Sequence, residues 1–165
     1  MKRDAVLSEC ESYRYRLGRT WDEDGRQLVV IGLNPSTADA LEDDPTIRRC
    51  CGFAKSWGYG GIQMLNLFAW RSTKPQALRA VVDPVGPENL AWIRISVRRH
   101  GGPLLVAWGA HGELLGKRPV REVLDAVHPE PLWCLGTTKA GHPRHPLYVR
   151  GDMQPRAWRW DGGRG

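Results

Sequence analysis

The chain has 165 residues, with 24 Lys+Arg against 18 Asp+Glu and a formal charge of +6, which is one domain's worth of sequence with enough apolar content for a core. No apolar run approaches the roughly 18 residues a membrane span needs, and no apolar h-region follows Met1-Lys2-Arg3. The sequence therefore predicts a cytoplasmic protein with neither membrane segment nor secretory leader. Arg dominates the basic residues; its planar fork suits phosphate, and a GC-rich coding bias would give the same composition, so the charge leaves nucleic-acid contact open. The cysteines Cys10, Cys50, Cys51 and Cys134 have no CxxC spacing and read as reduced thiols.

Tyr13–Trp21 alternates in polarity, the turn Asp22-Glu23-Asp24-Gly25 follows, and Arg26 leads into the apolar run Leu28–Gly32. This predicts an N-terminal β-hairpin running into a buried central strand. The strand must stop at Asn34-Pro35, since Pro35 offers no N–H to a ladder. Asp44 and Pro45 then suit the N-cap and first position of a helix whose apolar stripe is Ile47, Cys50, Cys51, Ala54 and Trp57, ending at Gly58. A second strand starts at Gly61 and ends near Asn66. A short helix is expected over 75–81 and a longer one over 87–100, with Leu90, Ile93 and Val97 on one face. A third strand follows over 103–109, a helix over 120–127 and a fourth strand over 131–136. The Gly- and Pro-rich stretch after it cannot be helical, and the tail 156–165 is expected either to be mobile at its end or to fold back onto the domain. The alternation predicts a single α/β domain: a three-layer sandwich with a central four-stranded, mostly parallel sheet, plus the N-terminal hairpin.

In such a sheet the strand ends gather along one edge, where ligands bind. That edge would collect Gly32–Thr37, Asn66, Trp108–His111 and the loop carrying His142 and His145. Asn34 either caps its turn or faces the cleft. Asn66, inside an apolar strand, needs partners in the backbone or in a ligand. Pro143 and Pro146 stiffen the loop around the two histidines. Asp43 and Asp44 read most simply as helix caps, and Lys139, Arg144, Arg48 and Arg49 either hold phosphate or form a solvated face. No GxGxxG opens a helix, and there is no GxxxxGK[ST] or GxSxG, which argues against dinucleotide, P-loop and α/β-hydrolase chemistry. No metal and no cofactor is expected.

Two resemblances follow from these residues. LNPSTAD, DDPTIRRC, WGYGG, NLFAWR, AWGAHG and GHPRHPLY resemble blocks of domain-of-unknown-function family 1643 along nearly the whole chain. The motif order also resembles the uracil-DNA glycosylase superfamily. VVIGLNPS is similar to its strand followed by G-x-[D/N]-P, in the form with Asn; GIQMLN to its base-reading strand; LVAWGAH to its third-strand element; and HPL at 145–147 to its closing H-P-S-P-L loop, with His142-Pro143 as a competing alignment. The chain departs from that loop in lacking its serine and in carrying Arg144. The resemblance implies hydrolysis of an N-glycosidic bond to a modified base in nucleic acid, DNA rather than RNA, by a monomer. Asn34 would position water, His145 or His142 would stabilise the departing base, and Asn66 would read its edge. Gly32, Pro35, Ser36, Thr37, Phe68, Tyr59, Trp108, Lys139 and Arg144 would complete the substrate site, with Tyr59 or Phe53 stacking on the base. A nucleotide- or nucleoside-processing hydrolase, or a non-catalytic binder of modified nucleic acid, would use the same cleft.

Overall fold

Leu28, Val29, Val30 and Ile31 are all fully buried because the two faces of their strand meet two different cores. Val29 and Ile31 pack with Ile93, Val97, Val120 and Val123, whereas Leu28 and Val30 pack with Ile47, Cys50, Phe53 and Ala54. A strand covered on both sides needs apolar residues at every position, which is the pattern of this run. The computed structural model describes residues 1–161. Its strands are β1 (Lys2–Leu7), β2 (Arg14–Thr20), β3 (Gln27–Gly32), β4 (Gly61–Asn66), β5 (Leu104–Val106), β6 (Leu132–Cys134) and β7 (Arg156–Ala157). The helices are α1 (Pro45–Ser56), α2 (Asn89–His100) and α3 (Arg118–Val127), with short 3-10 turns at Pro75–Ala80, Gly109–His111 and Pro146–Tyr148.

The result is a mixed α/β chain built on one seven-stranded sheet, in the order β1-β2-β4-β3-β5-β6-β7. The pairs β3–β4, β3–β5 and β5–β6 are parallel, with Gly32 opposite Asn66, Val30 opposite Leu105 and Leu105 opposite Trp133. The pairs β1–β2, β2–β4 and β6–β7 are antiparallel. Helix α1 contributes to the core on one face, and α2 and α3 to the core on the other.

The expected hairpin between β2 and β3 does not form. Strand β4 lies between them, and the antiparallel neighbour that follows β2 outward is β1, a strand the sequence pattern did not announce. Two glycines permit this arrangement. The Trp21 N–H donates to the Gly60 carbonyl (2.9 Å) and the Gly60 N–H to the Arg26 carbonyl (2.8 Å), so the start of β4 threads between the legs of the would-be hairpin. A Cβ on Gly60 would lie 2.3 Å from the Asp22 carbonyl oxygen, and one on Gly25 2.7 Å from the Gly60 Cα; only hydrogen atoms fit.

Asp44 caps α1 from an extended conformation, its Oδ1 accepting the Ile47 N–H at 2.9 Å. The tail folds back rather than drifting. Ala157 pairs with Trp133, Trp158 is buried, and its Nε1 donates to the Gly141 carbonyl at 3.1 Å. The remainder of the tail expected to be mobile, 162–165, lies outside the described residues. Among the described residues no helix is long and apolar enough to cross a membrane, and no group of three or more His, Cys, Asp or Glu could hold a metal ion.

Candidate functional site

The carboxyl ends of the parallel strands open into a cavity of about 670 Å³. Its walls are the 32–37 turn after β3, Asn66 with Ser72 and Thr73 after β4, the 107–111 segment after β5, the Thr138–Tyr148 loop after β6, the first turn of α1, and Arg14 from β2. Distant parts of the chain meet here because parallel strands all deliver their following loops to one edge.

Asn34 is committed through its nitrogen. Nδ2 donates to the carbonyls of Pro35 (3.0 Å), Ser72 (2.9 Å) and Trp70 (3.4 Å), so the amide clasps the loop after β3 to the loop after β4. Oδ1 is the atom left for a ligand or water. Asn66 is the reverse case. The residue is 2% exposed, and its Nδ2 is buried without a hydrogen-bond partner among the described residues. Its backbone is fixed, since Asn89 donates through Nδ2 to the carbonyls of Asn66 (2.9 Å) and Leu67 (3.2 Å). Opposite it, a Cβ on Gly32 would lie 2.9 Å from the Asn66 Oδ1, so glycine at 32 leaves room for the amide.

His145 accepts the Leu147 N–H through Nδ1 at 3.2 Å. In the neutral ring the proton therefore resides on Nε2, making that atom a donor. Burial pulls the imidazole below the usual histidine range, with Asp44 acting in the opposite sense, so the ring is neutral at pH 7. The loop is held on both sides. Gly109, at φ +76°, donates its N–H to the Pro143 carbonyl (2.8 Å), and a side chain at 109 would press to 3.2 Å from the His145 Cβ. From α1, Arg49 donates to the carbonyls of Pro146 (3.2 Å) and Val149. Trp108 forms a buried wall, edge-on to Trp158 at 5.3 Å.

Of the residues singled out from sequence, the cavity gathers Gly32, Asn34, Pro35, Ser36, Thr37, Asn66, Trp108, Arg144 and His145. Five others lie elsewhere. His142 is half-buried, its N–H donating to the Thr138 Oγ1 (3.1 Å), and it does not line the cavity. Lys139 is exposed on the same loop. Phe68 is fully buried in the core beside α2 and α3. Tyr59 leads into the start of β4, at the opposite end of the sheet, where its carbonyl accepts from the Trp21 Nε1 (2.9 Å); Phe53 packs in the α1 core against Trp57. The aromatic side chain at the cavity rim is Tyr148, 5.5 Å from the His145 ring.

Two charged residues come to the site without sequence warning. Asp44 is the cap it was read as, yet it also lines the cavity, where it is the only carboxylate among the described residues. Arg14 looked like one more polar position of an alternating strand. It is 2% exposed and lines the cavity, with Nη1 donating to the Ala38 carbonyl at 2.8 Å and Nε without a partner. Burial lowers its pKa to about 10, with Asp44 opposing the shift, so it stays charged at neutral pH.

The family described as Protein of unknown function (DUF1643) matches residues 14–147. The chain belongs to that family. The DUF1643 segment spans the cavity from Arg14 to Leu147 and leaves outside it β1, Tyr148 at the rim, and the folded-back tail. No curated protein and no solved structure matches this DUF1643 chain.

Proposed function

We propose that this protein hydrolyses the N-glycosidic bond of a modified base in nucleic acid, DNA rather than RNA, on a three-layer sandwich of the uracil-DNA glycosylase type. The observation that carries the reading is the pairing, in one cavity, of the unpartnered buried amide of Asn66 with a neutral His145 whose remaining ring proton is on Nε2. An amide offers one donor and one acceptor side by side, the pattern needed to read the edge of a base that presents C=O next to N–H.

The chemistry demands little acid–base strength. As the C1′–N bond breaks, its electron pair leaves with the base and the sugar becomes oxocarbenium-like. His145 donates from Nε2 to the charge growing on the base, a preorganised donor of the kind worth a few kcal/mol in transition-state stabilisation. Water adds to C1′ and gives up a proton. The Asn34 Oδ1 orients that water, and Asp44 is the carboxylate at hand to receive the proton. In duplex DNA the base must first leave the stack. In this reading the protein works in the cytoplasm, as a monomer and without a cofactor.

The test is release of free base from oligonucleotides carrying uracil, hypoxanthine or hypermodified pyrimidines. Wild type is expected to release base, and Asn66→Ala and His145→Ala to lose that activity. Absence of release across the panel rules the glycosylase reading out. A hydrolase of free nucleotides is the second reading, favoured by the enclosed cation of Arg14. Salt separates the two, because binding to a polyanion weakens steeply with ionic strength.

A further inference from the structure

We propose that the cavity contains a phosphate subsite built on Arg14, so that the ligand presents a phosphate group together with its base. The inference rests on the base-binding reading for the second half of that statement and on Arg14 alone for the first.

Arg14 and Arg19 are the two buried arginines among the described residues, and they differ. Arg19, on the same strand, is equally buried and shows what a guanidinium used for architecture looks like here. Its Nε donates to the Asp43 carboxylate (2.8 Å), Nη1 to the Gly18 carbonyl (2.8 Å), and Nη2 to the carbonyls of Asp39 and Glu42. Arg14 makes one hydrogen bond, to Ala38, and no ion pair within 4 Å among the described residues. A buried cation with a single hydrogen bond and no counter-ion is costly, and the cost is relieved when an anion enters beside it.

The rest of the wall suits an oxyanion. Helix α1 begins in the cavity at Pro45 and Thr46, bringing the positive end of a helix of 12 residues. The hydroxyls of Ser36, Thr37 and Thr46 line the same space and make no hydrogen bond among the described residues. Asp44 is the opposing charge. Its Oδ1 is engaged with the Ile47 N–H, so part of its negative charge is spent on the helix terminus, and the phosphate belongs on the Arg14 side. Guanidinium with two nitrogens unused is the geometry that grips phosphate bidentately.

The experiment is titration of the full chain at low chloride with inorganic phosphate, deoxyuridine, deoxyuridine monophosphate and a uracil-containing single-stranded pentanucleotide. Binding is read by calorimetry and by the Arg14 Nε–Hε resonance in arginine-selective NMR. Wild type is expected to bind inorganic phosphate with a shift of that resonance, and to bind the monophosphate or the pentanucleotide more tightly than the nucleoside. Arg14→Met is expected to weaken the phosphate-bearing probes at least about tenfold, the equivalent of one hydrogen bond to a charged group, and to leave the nucleoside unchanged. The exposed Arg118→Gln serves as the control that changes nothing. A stronger gain from the monophosphate identifies a free nucleotide as the source, and a stronger gain from the pentanucleotide a backbone phosphodiester. An Arg14 resonance in wild type that is unmoved by phosphate, or phosphate binding undiminished in Arg14→Met, overturns the subsite. Phosphate binding through Arg14 with no contribution from the nucleoside instead upholds the subsite and refutes the base-binding reading.

Discussion

Asn66→Ala is expected to make the protein more stable while removing its capacity to read a base. A buried N–H without a partner costs about 1–3 kcal/mol, and the Asn66 Nδ2 is such an atom. The amide borders an open cavity of about 670 Å³, so truncation enlarges space that already exists and creates no new sealed void. The loss of side-chain contacts offsets part of the gain, leaving about 1 kcal/mol of net stabilisation, or about 2–4 °C in melting temperature for a chain of this size. Asn89→Ala is the contrasting case, although the Asn89 Oδ1 is itself buried without a partner and its removal offsets part of the loss. The Asn89 Nδ2 serves two backbone carbonyls, and its removal leaves them unsatisfied in the core, costing about 1–3 kcal/mol. Calorimetric and urea unfolding of both variants read the difference. A fall in melting temperature for Asn66→Ala comparable to that of Asn89→Ala would refute the reasoning, because it would mean the Asn66 amide is well bonded in the free protein.

Three other expectations stand on the same geometry. The His145 pKa is depressed by burial, so below about 6.5 the unfolded chain takes up a proton that the folded chain resists. Stability then falls as pH drops through that value; His145→Asn should flatten this slope, and an unchanged slope would show that His145 is not its source. Replacing Arg19 by Met leaves the buried side of Asp43 and four carbonyls without their donor and should cost about 3–5 kcal/mol, measurable as a drop in the urea midpoint; a loss below about 1 kcal/mol would contradict it. Cys10 is exposed, with its thiol lowered to about 7 by hydrogen bonds from Ser12 and Ser8, whereas burial pushes Cys50 far up and Cys51 up to about 11. Iodoacetamide at pH 7.5 should modify one site in the native protein, and mass spectrometry of Cys10→Ser should show none.

The strand ends were legible because a strand buried on both faces has a distinct composition and because Asn34-Pro35 cannot extend it. The partner of β2 was not, since a turn sequence specifies a reversal of the chain and not what lies between the two legs; the deciding fact is the backbone contact of Gly25 with Gly60. Strand β1 escaped notice because an edge strand with exposed and half-buried positions carries no apolar alternation. At the site, the residues found were those whose type was unexpected for their setting, as with an amide in an apolar strand. Arg14 and Asp44 sit in settings where arginine and aspartate are ordinary, and the burial of Arg14 against the Ala38 carbonyl is a tertiary fact. Phe68 and Tyr59 were displaced by direction, one toward the core and one to the opposite end of the sheet.

The cavity draws on β2, the α1 start and four inter-strand loops, so its residues are separated by as many as 134 positions from Arg14 to Tyr148. No fragment of the chain brings Arg14, Asn66 and His145 together. Formation of the binding site is therefore the same event as completion of the sheet, and a ligand that enters it is linked to global unfolding rather than to the opening of one loop. Binding then raises the stability of the whole molecule by RT ln(1 + [L]/Kd), which makes the melting transition itself a screen for the molecule this protein recognises.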